Sequence, residues 1–390
     1  MDGNGNGYDP GTGTIIGGTV NKWFVPEDRL NPDQRRFLSD VDINRHNIWI
    51  KGFAGSGKSI LLVHVARKVL ATNRNAKIVF IVYTQSLVEM FRTALRELGL
   101  SQIPVMTYYA FMNSSSSYDY ILCDEVQDLT PRILSAMYRR SSHLVVAGDS
   151  NQSIYNEDPR WKESTVNVNQ IPGLINGQDF ELTIIERLTE SLARAVRALT
   201  RLNIFGSRRN LTATDTKVSL CKASSTSAEV EYVINNATRV SSRGYTAAIL
   251  VPTQKKIVEF VNSALESMGK QTWNSTTNDY GKVDFGAMNA HLRSQGVRMQ
   301  CVGNGYGSFK DNTDYVVLMT YHSSKGLDFD YVYIPYCNSY LWINYDAQKA
   351  KTLFMVAMTR ARMNLYITYT GSSYHGYVGT FASDCSTRSI

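Results

Sequence analysis

Residues 52–59 read Gly-Phe-Ala-Gly-Ser-Gly-Lys-Ser, and no other stretch restricts the fold so tightly. The octet fits G-x-x-x-x-G-K-[ST] without mismatch. The apolar run Asn47-Ile48-Trp49-Ile50 precedes it as a short strand. Residues 60–70 follow as a helix with Leu61, Leu62, Val65, Val69 and Leu70 on one face. Strand, glycine-rich loop and helix in that order are the context in which this motif holds phosphate. Gly52, Gly55 and Gly57 let the backbone curl, so that the N–H groups around Ser56 face an anion at a helix N-terminus. Lys58 is then placed to reach the β- and γ-phosphates of a nucleotide, and the Ser59 hydroxyl to take a Mg²⁺ position. The bland alternative is a glycine-rich turn with a chance lysine, and the flanking strand and helix argue against it.

A chain of 390 residues has room for two or three domains. Its 43% apolar and 19% charged residues are those of a globular protein that can bury full cores. The net charge of +7 leans toward a polyanionic partner. Cysteines 123, 221, 301, 337 and 385 are scattered without a C-x-x-C pair, and the histidines do not cluster at ligand spacing. Disulfides and zinc are therefore not expected, which points to a reducing cytoplasm. No apolar run approaches a membrane span, and no basic-then-apolar leader opens the chain, so no membrane partner is expected. Residues 1–20, rich in Gly, Asn and Thr, read as a flexible tail.

Taken in order, Asn31-Pro32 is a helix start, with Gln34 in the first turn. A glutamine amide just upstream of a phosphate loop can pair with both edges of adenine. Residues 77–82 form a buried strand that ends near Thr84 and Gln85, with Ser86 capping the next helix. Residues 104–106 form another strand, ending at Thr107 and Tyr108. Residues 118–123 are a buried strand running into Asp124-Glu125-Val126-Gln127-Asp128. Asp124 is expected to hold Mg²⁺, and Glu125 to orient and deprotonate the attacking water. The strand 143–147 ends in a segment with Gln152, which can sense a γ-phosphate, and Tyr155. This strand–helix alternation makes 21–172 one α/β domain with a mostly parallel sheet. Polar residues 167–177 read as the link to a second domain, 173–390, in which Arg187 opens an amphipathic helix. Residues 274–312 read as a small insertion or mobile loops. The segment Thr320 to Asp330 and the run Val356-Ala357-Met358-Thr359-Arg360-Ala361-Arg362 close the series, with Arg360 placed as a finger on the γ-phosphate.

These stretches together resemble the UvrD/Rep-type superfamily 1 helicases over residues 30–370. The most specific are the acidic quintet at 124–128, Gly148-Asp149 with Gln152-Ser153-Ile154-Tyr155, residues 322–328, and 356–361. The resemblance implies two RecA-like P-loop domains, each a mostly parallel sheet flanked by helices, with ATP and Mg²⁺ in the cleft between them. It implies ATP hydrolysis and movement along single-stranded DNA, typically 3′ to 5′. Carried over by position, Gln34 reads adenine, and Lys58, Ser59, Asp124 and Glu125 form the hydrolytic set. Gln152, Arg187 and Arg360 contact the γ-phosphate, while Gly326 and Asp328 touch the nucleotide. Thr84, Gln85, Thr107, Tyr108, Tyr155, Thr320 and His322 fall where the family contacts the strand, and Trp161 is expected to stack on a base.

The departures are specific. Ile185-Glu186-Arg187 lacks the aromatic that would stack on adenine, Asp328 stands where a glutamate is usual, and Glu157-Asp158 replaces an aromatic-Arg pair. The intervals 111–120 and 187–320 are too short for the large inserted subdomains, which counts against processive duplex unwinding. Two other readings stay open: a nucleotide-dependent regulatory subunit working with a partner such as a nuclease, and an RNA-directed helicase, since backbone contacts alone do not separate RNA from DNA.

Overall fold

The computed structural model describes residues 25–390, apart from 150–152, 154–156, 159, 203–214, 304–305 and 308–313. Ahead of residue 25 it describes only β1 (Gly7–Tyr8) and β2 (Ile15–Ile16), which pair antiparallel. The tail expected over 1–20 otherwise lies outside the described residues, as do Gln152 and Tyr155. The chain divides into two compact units, one ending at Arg187 and the other built from Leu188 onward.

In the first unit α1 (Pro32–Asp40) precedes β3 (Asn47–Gly52), α2 (Lys58–Thr72), β4 (Ile78–Val82), α3 (Gln85–Glu97), β5 (Val105–Thr107) and α4 (Tyr108–Met112). Then come β6 (Tyr118–Cys123), α5 (Pro131–Arg139), β7 (Ser141–Gly148), α6 (Ile171–Ile175) and β8 (Gly177–Leu182). The strands lie in the order β5-β4-β6-β7-β3-β8, and every pairing is parallel. All five residues of β4 are buried, as a central strand covered on both faces requires. Thr84, Thr107 and Thr130 each cap the helix that follows, accepting an N–H from three residues on. The cap of α3 is thus Thr84 rather than Ser86, which is buried in the first turn.

The link expected at 167–177 is instead part of this unit. Ile171 and Ile175 of α6 enter the core, and β8 adds an edge strand beside β3 in the register Gly52↔Leu182. Residues 167–177 read as a linker because Pro172, Gly173 and Gly177 are loop formers, whereas the burial of Ile171 and Ile175 comes only from tertiary packing. Gly177 is required there, because a Cβ would lie 2.4 Å from the Asn47 carbonyl oxygen.

The second unit carries α7 (Glu190–Thr200), β9 (Ser219–Ala223), α8 (Thr226–Ser241), β10 (Ala247–Val251), α9 (Gln254–Ser267), α10 (Phe285–Ser294) and β11 (Met299–Cys301). It continues through β12 (Val316–Thr320), β13 (Phe329–Ile334), α11 (Ala347–Met358), β14 (Ala361–Thr370), α12 (Gly376–Gly379) and β15 (Ser386–Ser389). The strand order is β11-β12-β10-β13-β14-β9-β15, again all parallel. Within the expected insertion, Phe285, Met288 and Leu292 bury one face of α10, and β11 joins the sheet beside β12. Asn289 ties the two together: its amide donates to the Cys301 carbonyl and accepts from the Cys301 N–H, each at 2.8 Å. No described helix is long and apolar enough to cross a membrane, and all five cysteines are free.

Candidate nucleotide site and nucleic-acid interface

The C-terminal edge of the first sheet gathers the hydrolytic residues. β7 lies between the phosphate-loop strand β3 and the acidic strand β6, so loop and carboxylates are two strand spacings apart, roughly 10 Å. Side chains close that gap. Gly57 caps α2 at φ +79°, and the Ser59 hydroxyl two residues on donates to the Asp124 carboxylate. Lys58 donates to the carbonyls of Gly52 (2.8 Å) and Phe53 (3.2 Å), which lays its ammonium across the loop. Burial and the neighbouring Glu125 charge push the Asp124 carboxyl up to about 6, against the pull of the Ser59 hydrogen bond and Lys58. A buried acidic pair whose ionisation is opposed in this way is chemically matched to a divalent cation, so the site fits Mg²⁺. A curled loop with left-handed glycines at 55 and 57, opening a helix, fits a nucleotide's phosphates.

Glu125 adopts φ 57°, ψ 40°, a left-handed conformation costing a non-glycine residue about 1–2 kcal/mol. Its backbone N–H donates to Asp124 Oδ1 at 2.9 Å, and its carbonyl accepts the Asp128 N–H at 3.1 Å. Strain of this kind is characteristic of functional positions.

Gln34 does reach the loop, but its amide is engaged. Its Oε1 accepts the Asn31 N–H at 3.0 Å in a capping box, and its Nε2 donates to the carbonyls of Ser56 and Gly57 at 3.3 Å each. Gln34 therefore braces the phosphate loop. Asp33, to which sequence reasoning gave no role, carries the same helix start to the end of β8 by accepting from Thr183 N (2.7 Å), Thr183 Oγ1 (2.8 Å) and Ile184 N (3.2 Å). Arg187 belongs to the first unit and opens no helix; Thr189 caps α7. The edge strand β8 delivers it to the loop, where Glu186 N–H donates to Gly55 O at 2.9 Å and a Cβ on Gly55 would meet Arg187 Cβ at 2.6 Å.

On the same unit, strand ends and the segment after β7 assemble an aromatic cluster. Tyr108 stacks on Tyr83 at 5.0 Å and meets Trp161 edge-on at 6.0 Å, while Tyr109 lies 6.1 Å from Trp161. Arg160 sits over Tyr109 at 3.6 Å and Arg132 over Trp161 at 4.5 Å. Asp158 is structural here: its Oδ1 accepts the backbone N–H groups of Arg160 (2.8 Å) and Trp161 (2.9 Å), building the turn that presents the indole. Burial, then a hydrogen bond to Asp158, push the Tyr108 phenol up to about 12. Aromatic faces interleaved with guanidinium groups are what a single strand stacks on. Thr84 and Thr107 are caps at the rim of this cluster, and Gln85 is exposed beside them. Tyr83 and Tyr109 belong to the strand-end clusters that the sequence offered for nucleic-acid contact, whereas Arg132 and Arg160 escaped sequence reasoning because only folding brings them over these rings.

In the second unit the expected residues split between two edges of the sheet. Thr320 ends β12 and is buried, accepting from Ser323 N (3.1 Å) and hydrogen-bonded to Ser323 Oγ (3.0 Å). Burial, then Lys325 and Lys349, lower the His322 pKa, so the imidazole is neutral at pH 7. Gly326 (φ +79°) and Asp328 lie at the opposite edge, where β13 and β14 begin, and Asp328 pairs with Arg362. Arg360 is there too, only 1% exposed. Its guanidinium donates to Val356 O (2.9 Å), Leu327 O (3.0 Å) and Thr359 Oγ1 (2.9 Å). The residue expected as a finger thus also ties the Gly326 loop to the end of α11.

Residues 34–158 match the model of an AAA domain, and residues 297–372 that of the UvrD-like helicase C-terminal domain. F-box DNA helicase protein 1 of Schizosaccharomyces pombe is 32% identical over 97 residues, which are 24% of this chain and 11% of that protein. The chain thus spans about a tenth of that relative's length. Among solved structures, a complex of arterivirus nonstructural protein 10 (helicase) with DNA aligns at TM-score 0.44 and 13% identity, covering 86% of this chain and 63% of that one. The C-terminal domain of a possible DNA helicase from Lactobacillus plantarum WCFS1 aligns at TM-score 0.34 and 14% identity, over 52% of this chain and 97% of its own. The two family matches and the helicase relative support a likeness to the UvrD-like superfamily 1 helicases over the matched residues.

Proposed function

We propose that this chain is a DNA-stimulated ATPase that moves along single-stranded DNA, 3′ to 5′, in the cytoplasm. The observation that carries the reading is the convergence of Lys58, Ser59, Asp124 and Glu125 at one sheet edge, in the unit that also carries the aromatic–arginine cluster. Bound Mg²⁺, held by Ser59 and Asp124, would supply charge neutralisation for the β- and γ-phosphates. The loop N–H groups and Lys58 would hold those phosphates, Lys58 exchanging its two carbonyl acceptors for phosphate oxygens. Glu125 would orient the attacking water and accept its proton. Arg187, packed on Gly55, is the γ-phosphate candidate within the first unit; Arg360 would first have to release Val356 O, Leu327 O and Thr359 Oγ1. Tyr109 and Trp161 would stack bases, while Tyr108, only 5% exposed, would back them from the core.

The test is steady-state ATP hydrolysis by the purified chain, alone and with single-stranded DNA, single-stranded RNA or duplex. Stimulation by single-stranded DNA above the other three supports the translocase, and a polarity assay on end-labelled strands follows. Nucleotide binding without turnover on any strand overturns it in favour of a regulatory subunit, with a partner such as a nuclease. Equal stimulation by RNA removes the DNA assignment.

A further inference from the structure

Gln127 lies between the acidic pair and the end of β7, fully buried. One end of its amide accepts the Asp149 backbone N–H at 3.1 Å, and the other donates to Glu125 Oε2. The orientation of the amide follows from chemistry alone. A backbone N–H can only donate, so the carbonyl oxygen must face Asp149 and the NH₂ must face the carboxylate. The neighbouring strand makes room for it. A Cβ on Gly148 would fall 2.1 Å from Gln127 Oε1 and 3.0 Å from the Trp49 ring, so only glycine at 148 lets the amide reach the end of β7.

We propose that Gln127 is a positioning residue for hydrolysis, fixing the rotamer of the Glu125 carboxylate and tying it to the strand end that leads toward Gln152. The inference rests on the reading of Glu125 as the general base. The Glu125 backbone is already held left-handed by its turn. What the backbone leaves undetermined is which carboxylate oxygen points at the water. A donor locked onto Oε2 settles this by fixing the rotamer of the carboxylate. Because the donor is anchored on β7, any shift of the β7 end on γ-phosphate contact moves the base with it. A general base works only within hydrogen-bond reach of its water, so loss of the anchor is read in turnover rather than in nucleotide binding.

The test uses the full chain with Gln127→Leu, which removes both ends of the bridge, and Gln127→Glu. The second keeps an acceptor for the Asp149 N–H but sets a carboxylate against Glu125. Single-turnover ATP hydrolysis, nucleotide affinity by a fluorescent ATP analogue and thermal melting are measured for each. We expect the hydrolysis rate to fall about 10- to 100-fold in both variants, with nucleotide Kd within about twofold of wild type. Gln127→Glu should be the slower of the two and should melt below wild type at pH 7, because it buries a further carboxylate against Glu125; its unchanged nucleotide Kd shows that the site is still folded. The double variant Glu125→Gln/Gln127→Leu should hydrolyse no more slowly than Glu125→Gln alone, because one residue acts through the other. A wild-type rate in Gln127→Glu, or a further additive loss in the double variant, overturns the proposal. Retained turnover in Glu125→Gln alone overturns instead the general-base reading beneath it.

Discussion

Replacing Gly57 by alanine tests how the phosphate loop is held. Gly57 sits at φ +79°, and a Cβ there would lie 2.1 Å from the Gln34 amide nitrogen. The left-handed conformation costs an alanine about 1–2 kcal/mol. The clash must push Gln34 aside, which breaks its hydrogen bonds to Ser56 O and Gly57 O, worth about 0.5–1.5 kcal/mol each. Gly57→Ala should therefore destabilise the first unit by about 2–5 kcal/mol, or roughly 4–20 °C in the melting of a unit of this size. The two causes separate in a cycle. In a Gln34→Ala background the clash is gone and only the backbone strain remains, so the same glycine substitution should cost about 1–2 kcal/mol there. Denaturant unfolding of the four proteins, with ATP-analogue binding in parallel, reads both quantities. An equal cost of Gly57→Ala in both backgrounds would refute the idea that Gln34 is the loop's brace.

Glu125→Gln should bind ATP as wild type does and lose turnover, since Ser59, Asp124 and Lys58 remain; full activity in that variant sinks the assignment of the base. The Asp124 carboxyl, pushed up to about 6 by burial and Glu125, makes an unfavourable contribution to folding that is fully present above that value and absent below the ordinary carboxylate range. Asp124→Asn should thus raise the melting temperature in EDTA at pH 7 and have lost that advantage by pH 4; an advantage unchanged with pH would contradict the shift. Trp161→Ala should weaken single-stranded DNA binding by about 1–3 kcal/mol in a fluorescence-anisotropy titration, and unchanged affinity would remove the indole from the interface. Arg360→Lys should lower thermal stability as well as turnover, because a lysine cannot replace three donors aimed at Val356, Leu327 and Thr359; turnover lost at unchanged melting would indicate a phosphate contact alone.

The sequence by itself determined the chemistry and the class of fold. A glycine-lysine-serine loop between a strand and a helix, and a carboxylate pair at the end of an apolar strand, are local patterns. Each can be read from neighbours in the chain, because loop curling and strand burial depend on nearby residues. For the same reason Thr107 and Asp124 stand at the strand ends where they were expected. Local pattern failed where an element is defined by what it lies against. The segment 167–177 looked like a linker until the packing of Ile171 and Ile175 placed α6 in the first core, and α10 with β11 looked like a loose insertion until Asn289 joined them. Only the tertiary structure decided that Arg187 belongs to the phosphate-loop unit and that Arg360 is held internally. It alone turned Asp158 from a lost contact into the support of Trp161, and made Gln127 the bridge from base to strand end. The physical reason is common to all four: a side chain's hydrogen-bonding partners are set by strand order and register, and those are properties of the sheet as a whole, not of the residues on either side.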